Sequence, residues 1–236
     1  MQEQYVKWYS PNLGRDFEME IFGTNGYPLL LFPTSMGRYY QNKDFKLIES
    51  IEWFINTEKI QVFCPDGIDE DSWYNSRIHP AERVANHLRY EQLIREEIVE
   101  RIRQNSPSKR IAIGGCSFGG YHATNFAFRH PNLVNYLFSM AGAFDIRSRV
   151  SGHYDDQVYY NNPPDFLPDL QDPYLWQMGI VLGTSEFDMC RDANYQLSDI
   201  LHKKGVDHWL DDRPNAVHDW PVWRQMLPDY VSLIRY

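Results

Sequence analysis

The segment Gly115-Cys116-Ser117-Phe118-Gly119, flanked by Gly114 and Gly120, carries a G-x-S-x-G pattern between an apolar run ending at Ile113 and a helix-like run starting at Phe118. A serine at such a strand-to-helix elbow sits in a strained turn, and glycines two residues to either side let the neighbouring backbone pack without side-chain collision. The hydroxyl there is exposed above a sheet, beside helix N-terminal N–H groups aimed at developing negative charge. That is an environment for a nucleophile. The plain alternative is a Gly-rich helix entry without chemistry.

A serine hydroxyl is a weak nucleophile until a base accepts its proton. Of the eight histidines, His218 fits best: it follows the last apolar run, opens His218-Asp219-Trp220-Pro221 and precedes a final helix whose first turn tolerates Pro221. His208 lies in an apolar run read as strand, His202 on a helix, and His122 is carried away from the elbow along its own helix. Packing or surface roles suit those three. An acid must then orient the imidazole, and the chain order Ser, acid, His points to the loop after residues 179–183. Asp188 is the first choice, Glu186 the second and Asp145 the third, each with simple solvation or helix capping as the alternative.

A second donor for an oxyanion belongs on the loop Pro33-Thr34-Ser35-Met36-Gly37, after the strand-like residues 28–32. A backbone N–H supplies it, so Ser35 is favoured with Thr34 and Met36 as open alternatives. Ser72-Trp73-Tyr74, in the loop 69–75, offers aromatics at the same edge as a wall for an apolar ligand, and Trp220 and Trp223 lie near His218. Ordinary packing explains each equally well.

These residues need a scaffold, and strands alternate with helices through the centre of the chain. Residues 16–23 and 27–33 read as a hairpin leading into a buried strand, and 44–56 as helix. Strand 60–64 precedes a long helix over 80–104, whose Val84, Leu88, Ile94, Ile98 and Ile102 make one apolar face. Strand 110–114, helix 117–129, strand 136–140, strand 179–183, helix 191–204, strand 208–210 and a helix from 220 towards 234 follow. The alternation predicts an α/β fold with a mostly parallel, doubly wound sheet of about eight strands, whose ligands bind beyond the C-terminal strand ends. Residues 145–176, rich in proline and aromatics, read as an excursion over that edge, and 1–236 as one domain.

At 236 residues with 43% hydrophobic and 23% charged side chains, the chain can bury a full core without disulfide or metal staples. A net charge of −9 opposes nucleic acid and anionic membranes as partners. The opening MQEQYVKWYS lacks the pattern of a signal peptide, and no apolar run is long enough to span lipid. Cys64, Cys116 and Cys190 are odd in number and widely spaced, which favours a reducing cytoplasm over a disulfide framework. No histidine falls in a metal-binding sequence motif, so no metal is expected.

The chain resembles the esterases of the α/β-hydrolase fold, relatives of feruloyl esterases, S-formylglutathione hydrolases and mycolyltransferases. Phe32 to Gly37, Asp69 to Tyr74, Gly115 to Ala123, Phe187-Asp188 and His218-Asp219-Trp220 carry the resemblance, in the family's order. It implies a Ser117, Asp188, His218 triad, an oxyanion hole from the Phe118 N–H and the Ser35 region, and no cofactor. The chain departs from the pattern in lacking an obvious lid or carbohydrate-binding appendage and in offering two carboxylates in Ser185-Glu186-Phe187-Asp188. The expectation is a serine hydrolase acting on a small-molecule carboxylic ester or thioester through an acyl-enzyme. An acyltransferase on the same scaffold and a non-catalytic binding protein are its rivals.

Overall fold

Eight strands form one mixed sheet in the computed structural model, which describes residues 1–235. Across the sheet they run β1 (Glu3–Ser10), β2 (Arg15–Phe22), β4 (Ile60–Pro65), β3 (Tyr27–Phe32), β5 (Ile111–Cys116), β6 (Val134–Met140), β7 (Gly179–Phe187) and β8 (Trp209–Val217). β1 and β2 are antiparallel, as are β2 and β4, whereas every pairing from β4 to β8 is parallel.

The central strands are apolar on both sides because helices cover both faces. Leu30 and Phe32 of β3 join the core beneath the helices Pro80–Leu93 and Phe118–Arg129. Their neighbours Leu29 and Leu31 join Leu47, Ile48 and Ile51 and the C-terminal helix Trp220–Val231 on the other side. This two-residue alternation is the pleat of the strand. The helix expected over 80–104 continues from Pro80–Leu93 through a π-helical stretch, Ile94–Val99, to Glu100–Asn105.

The structure corrects four expectations. Residues 16–23 and 27–33 do not form a hairpin: β4 lies between β2 and β3, and β3, with five of its six residues buried, occupies the sheet interior. The eighth strand is β1, whose Val6, Trp8 and Ser10 turn inward while Tyr5 and Tyr9 are exposed. Residues 44–56 form short helices, Leu47–Ser50 and Glu52–Asn56, after the turn Gln41–Asp44, because Lys46 adopts a positive φ of 62°. The strand expected at 208–210 extends to Val217. It lies at the sheet edge and carries Asp211, Asp212 and Arg213, so hydropathy does not reveal its length.

Because β3, β5, β7 and β8 run parallel, their C-terminal ends open on one edge. The loop Pro33 to Gly37, Ser117, Asp188 and His218 follow those four ends directly. Residues 145–176 contain short helical turns and no strand. This segment is tied to the helix Phe118–Arg129 by Tyr121 Oη donating to the Asn161 carbonyl at 2.9 Å. No helix among the described residues is long and apolar enough to cross a membrane.

Candidate active site

Ser117 has φ 56° and ψ −120°, a conformation a non-glycine residue adopts only when its surroundings enforce it. The enforcement is visible on both sides. A Cβ on Gly115 would lie 2.4 Å from the Gly119 carbonyl carbon, and one on Gly119 would lie 2.4 Å from the Pro33 oxygen. Only glycine lets the strand end, the helix start and the loop after β3 approach so closely. The Ser117 N–H donates to the Met140 carbonyl at 2.8 Å, which pins the elbow to β6.

Three of the side chains selected from the sequence come together. His218 Nε2 is 2.9 Å from Ser117 Oγ, and His218 Nδ1 is 2.7 Å from Asp188 Oδ1. Asp188 is 7% exposed, and its Oδ1 also accepts the Cys190 N–H at 2.7 Å. Burial pulls the His218 imidazole down, but its contacts with Asp188 and Cys190 outweigh that and push its pKa up to about 9. Asp219 caps the helix Trp220–Val231, with Pro221 in its first turn, so the chain carrying His218 is anchored on the helix side. Trp223 packs edge-on against the His218 ring at 5.1 Å between centroids.

The other carboxylates are engaged elsewhere. Glu186 is exposed and Oε2 accepts the Asn215 N–H at 2.8 Å, while Asp145 pairs with Arg147. The remaining histidines are also apart from Ser117 Oγ: His202 is exposed, and His208 precedes β8 with Nε2 2.7 Å from Ser198 Oγ. In the loop after β3, the Thr34 N–H donates to Gln41 Oε1 at 2.8 Å and the Met36 N–H to Asp69 Oδ2 at 2.9 Å. That leaves the Ser35 N–H of the three without a protein acceptor among the described residues. The Phe118 N–H, in the first turn of its helix, is in the same position.

The aromatics expected at this edge differ in burial. Trp73 is 1% exposed and packs with Val84, Phe118 and Tyr121, so it is a core residue and offers no open surface. Tyr74 is half-buried, donates its hydroxyl to Ser35 Oγ at 2.8 Å and accepts from Arg149 Nη2 at 2.8 Å. Trp220 is half-buried and stacks on Phe45 with centroids 4.6 Å apart.

Sequence reasoning gives Asp69, His122, Gln41 and Cys190 no role at the site, and it sets His122 aside as a base. Asp69 and His122 are both buried and meet at 2.9 Å beneath the loop after β3. No spacing rule links residues so far apart, and only the shared strand edge hints at the pair. Separately, a cavity of about 470 Å³ opens beside Phe128, Arg129, Tyr159 and Tyr160 and includes none of Ser117, His218 and Asp188. Chemistry rather than volume therefore marks the candidate site.

Residues 23–234 match the family model Esterase, described as "Putative esterase". No curated protein matches the chain by sequence. Among solved structures, a ferulic acid esterase is similar at 16% identity, with 97% of this chain and 95% of that one covered and a TM-score of 0.77. The S-formylglutathione hydrolase of Staphylococcus aureus is similar at 17% identity, with 98% of each chain covered and a TM-score of 0.71. MPT51 of Mycobacterium tuberculosis is similar at 15% identity over 100% of both chains, with a TM-score of 0.73. Since the matched span runs from the residue after β2 through the C-terminal helix, the protein belongs to the esterase family, carboxylic ester hydrolases of the α/β-hydrolase fold.

Proposed function

We propose that the protein hydrolyses a carboxylic ester or thioester of a small molecule through an acyl-enzyme on Ser117. The hydrogen-bonded chain Asp188, His218, Ser117 at the elbow carries this reading. Ser117 Oγ attacks the carbonyl carbon as its proton passes to His218 Nε2, and the carbonyl oxygen becomes an oxyanion facing the N–H groups of Phe118 and Ser35. Collapse expels the alkoxide or thiolate, which takes the proton from Nε2. Water, deprotonated by the same nitrogen, then releases the acid and restores Ser117.

Asp188 holds the ring with its proton on Nδ1, leaving the Nε2 lone pair towards the serine. Tyr74 and Trp220, half-buried at the same edge, line the approach. The free thiols Cys64, Cys116 and Cys190 suit a reducing compartment, and a cytoplasmic location is part of this proposal.

The test is labelling by a fluorophosphonate probe together with turnover of a short p-nitrophenyl ester. Ser117→Ala should lose both, with a fall in kcat on the order of a million-fold and an unchanged circular dichroism spectrum. A Ser117→Ala protein that turns over at the wild-type rate overturns the mechanism.

A further inference from the structure

Cys190 has no part in the reaction proposed above, yet its sulfur stands against the Asp188–His218 pair. One ligand atom each from Asp188, Cys190 and His218 lies within 4.8 Å of the other two. The backbone accounts for this convergence. Asp188 opens the turn after β7, the Cys190 N–H bonds back to Asp188 Oδ1 at 2.7 Å, and His218 arrives from the end of the neighbouring strand β8. Met189 between them is 83% exposed, and Cys190 is half-buried, so solvent reaches the turn.

A second observation points to a ligand. Asp188 Oδ1 takes both the Cys190 N–H and His218 Nδ1, whereas Oδ2 is buried without a hydrogen-bond partner among the described residues. A buried carboxylate oxygen without a donor is costly, and a cation satisfies it. Thiolate, imidazole and carboxylate together form a donor set that favours Zn²⁺ over hard cations such as Mg²⁺.

We infer that Asp188, Cys190 and His218 form a binding site for a thiophilic divalent cation, Zn²⁺ foremost, and that its occupancy switches hydrolysis off. The second half rests on the function proposed above. Three protein ligands leave one tetrahedral position for water. Coordination through Oδ2 costs the 2.7 Å Nδ1–Oδ1 hydrogen bond, because Nδ1 must give up its proton to ligate, and leaves Oδ1 with the Cys190 N–H.

The cation takes the Nδ1 lone pair, so the ring proton moves from Nδ1 to Nε2, and the Cys190 thiol gives its proton to solvent as it ligates. Nε2 then faces Ser117 Oγ as a donor. It has no lone pair left to accept the serine proton, and the base is blocked.

Zn²⁺ added to the purified enzyme in a non-chelating buffer should inhibit ester turnover, EDTA should restore it, and Mg²⁺ should have no effect. Each variant is compared with its own EDTA-treated rate. Cys190→Ala and Cys190→Ser should raise the half-inhibiting Zn²⁺ concentration at least about tenfold, since even an outer partner of a metal ligand is worth that much. Cys64→Ala, which alters a thiol buried elsewhere, should remain as sensitive as wild type.

Independently of turnover, Co²⁺ added to Ser117→Ala protein should produce a near-ultraviolet thiolate-to-cobalt band that is lost when Cys190→Ala is added. Unchanged Zn²⁺ sensitivity in both Cys190 variants, or absence of the band, overturns the inference. If Ser117→Ala hydrolyses ester normally while the band appears, the proposed function fails and the metal site stands.

Discussion

Asp69 Oδ1 and His122 Nε2 meet at 2.9 Å in the interior, and the other oxygen of the same carboxylate accepts the Met36 N–H at 2.9 Å. One buried side chain thus joins the helix that begins beside Ser117 to the loop carrying the Ser35 N–H. Met36 has a φ of 58°, so this loop depends on such a tether to hold its shape. Asp69→Ala should lower kcat at least roughly tenfold with KM within about threefold, because a misplaced donor loses its bond in the transition state first. Asp69→Asn should recover most of that loss, since the amide keeps an oxygen for the Met36 N–H and sets a polar NH2 group against His122 Nε2. A raised KM with unchanged kcat would assign Asp69 to substrate binding instead.

The acid of the site can be separated from its neighbours by three amides. Asp188 bonds His218 Nδ1, whereas Glu186 accepts the Asn215 N–H and Asp145 pairs with Arg147. Asp188→Asn can donate to Nδ1 and so stabilise the tautomer that cannot accept the serine proton, a change worth about four orders of magnitude in the serine-protease precedent. We expect kcat/KM to fall by at least roughly a hundredfold for Asp188→Asn and to stay within about tenfold for Glu186→Gln and Asp145→Asn. A large loss in Asp145→Asn with a small one in Asp188→Asn would move the acid to the end of β6.

Protonation of His218 offers a third check. Burial opposes the imidazolium, but Asp188 and Cys190 favour it more strongly, so the pKa lies near 9. Only the unprotonated ring accepts from Ser117. The kcat/KM profile, recorded with EDTA present, should therefore rise with pH along a limb centred above the ordinary imidazole value of about 6.5. Asp188→Asn removes the nearest anion and should move the residual limb downward. A limb at or below the ordinary value in the wild type would contradict the balance of contacts around the ring.

The centre of the molecule is legible in the sequence because its physics is local. β3, β5 and β6 are apolar runs with helices between them, and the glycines around Ser117 announce an elbow whatever surrounds it. Chain order along parallel strands then directs attention to Asp188 and His218. The edges are different. β8 carries charge through its middle and β1 alternates inward and outward residues, so neither resembles the buried strands. Trp73 shows a further limit, since an aromatic in a loop has the same letter whether it faces the cleft or the core. Asp69 with His122, and Cys190 with His218, become neighbours only when separate strand ends meet at one edge. Pairings of that kind have no signature along the chain.

Glu91, 8% exposed on the helix Pro80–Leu93, accepts from Arg129 Nε at 2.8 Å and lies 2.7 Å from His130 Nε2 at the far end of the helix that begins beside Ser117. Burial opposes its carboxylate, but the His130 bond and the Arg129 charge prevail and hold its pKa down at about 2. The unfolded chain binds that proton near the ordinary glutamate value, about 4.3. A depressed folded-state pKa means that the contribution is complete above about pH 4.3 and disappears as pH falls through about 2. Its size is on the order of 2 to 3 kcal/mol. Glu91→Gln should accordingly lower the urea midpoint at pH 7, and the gap from wild type should narrow steadily below about pH 4.3. If the gap is the same at pH 7 and pH 3, the loss reflects packing of the amide and not the ionised carboxylate between Arg129 and His130.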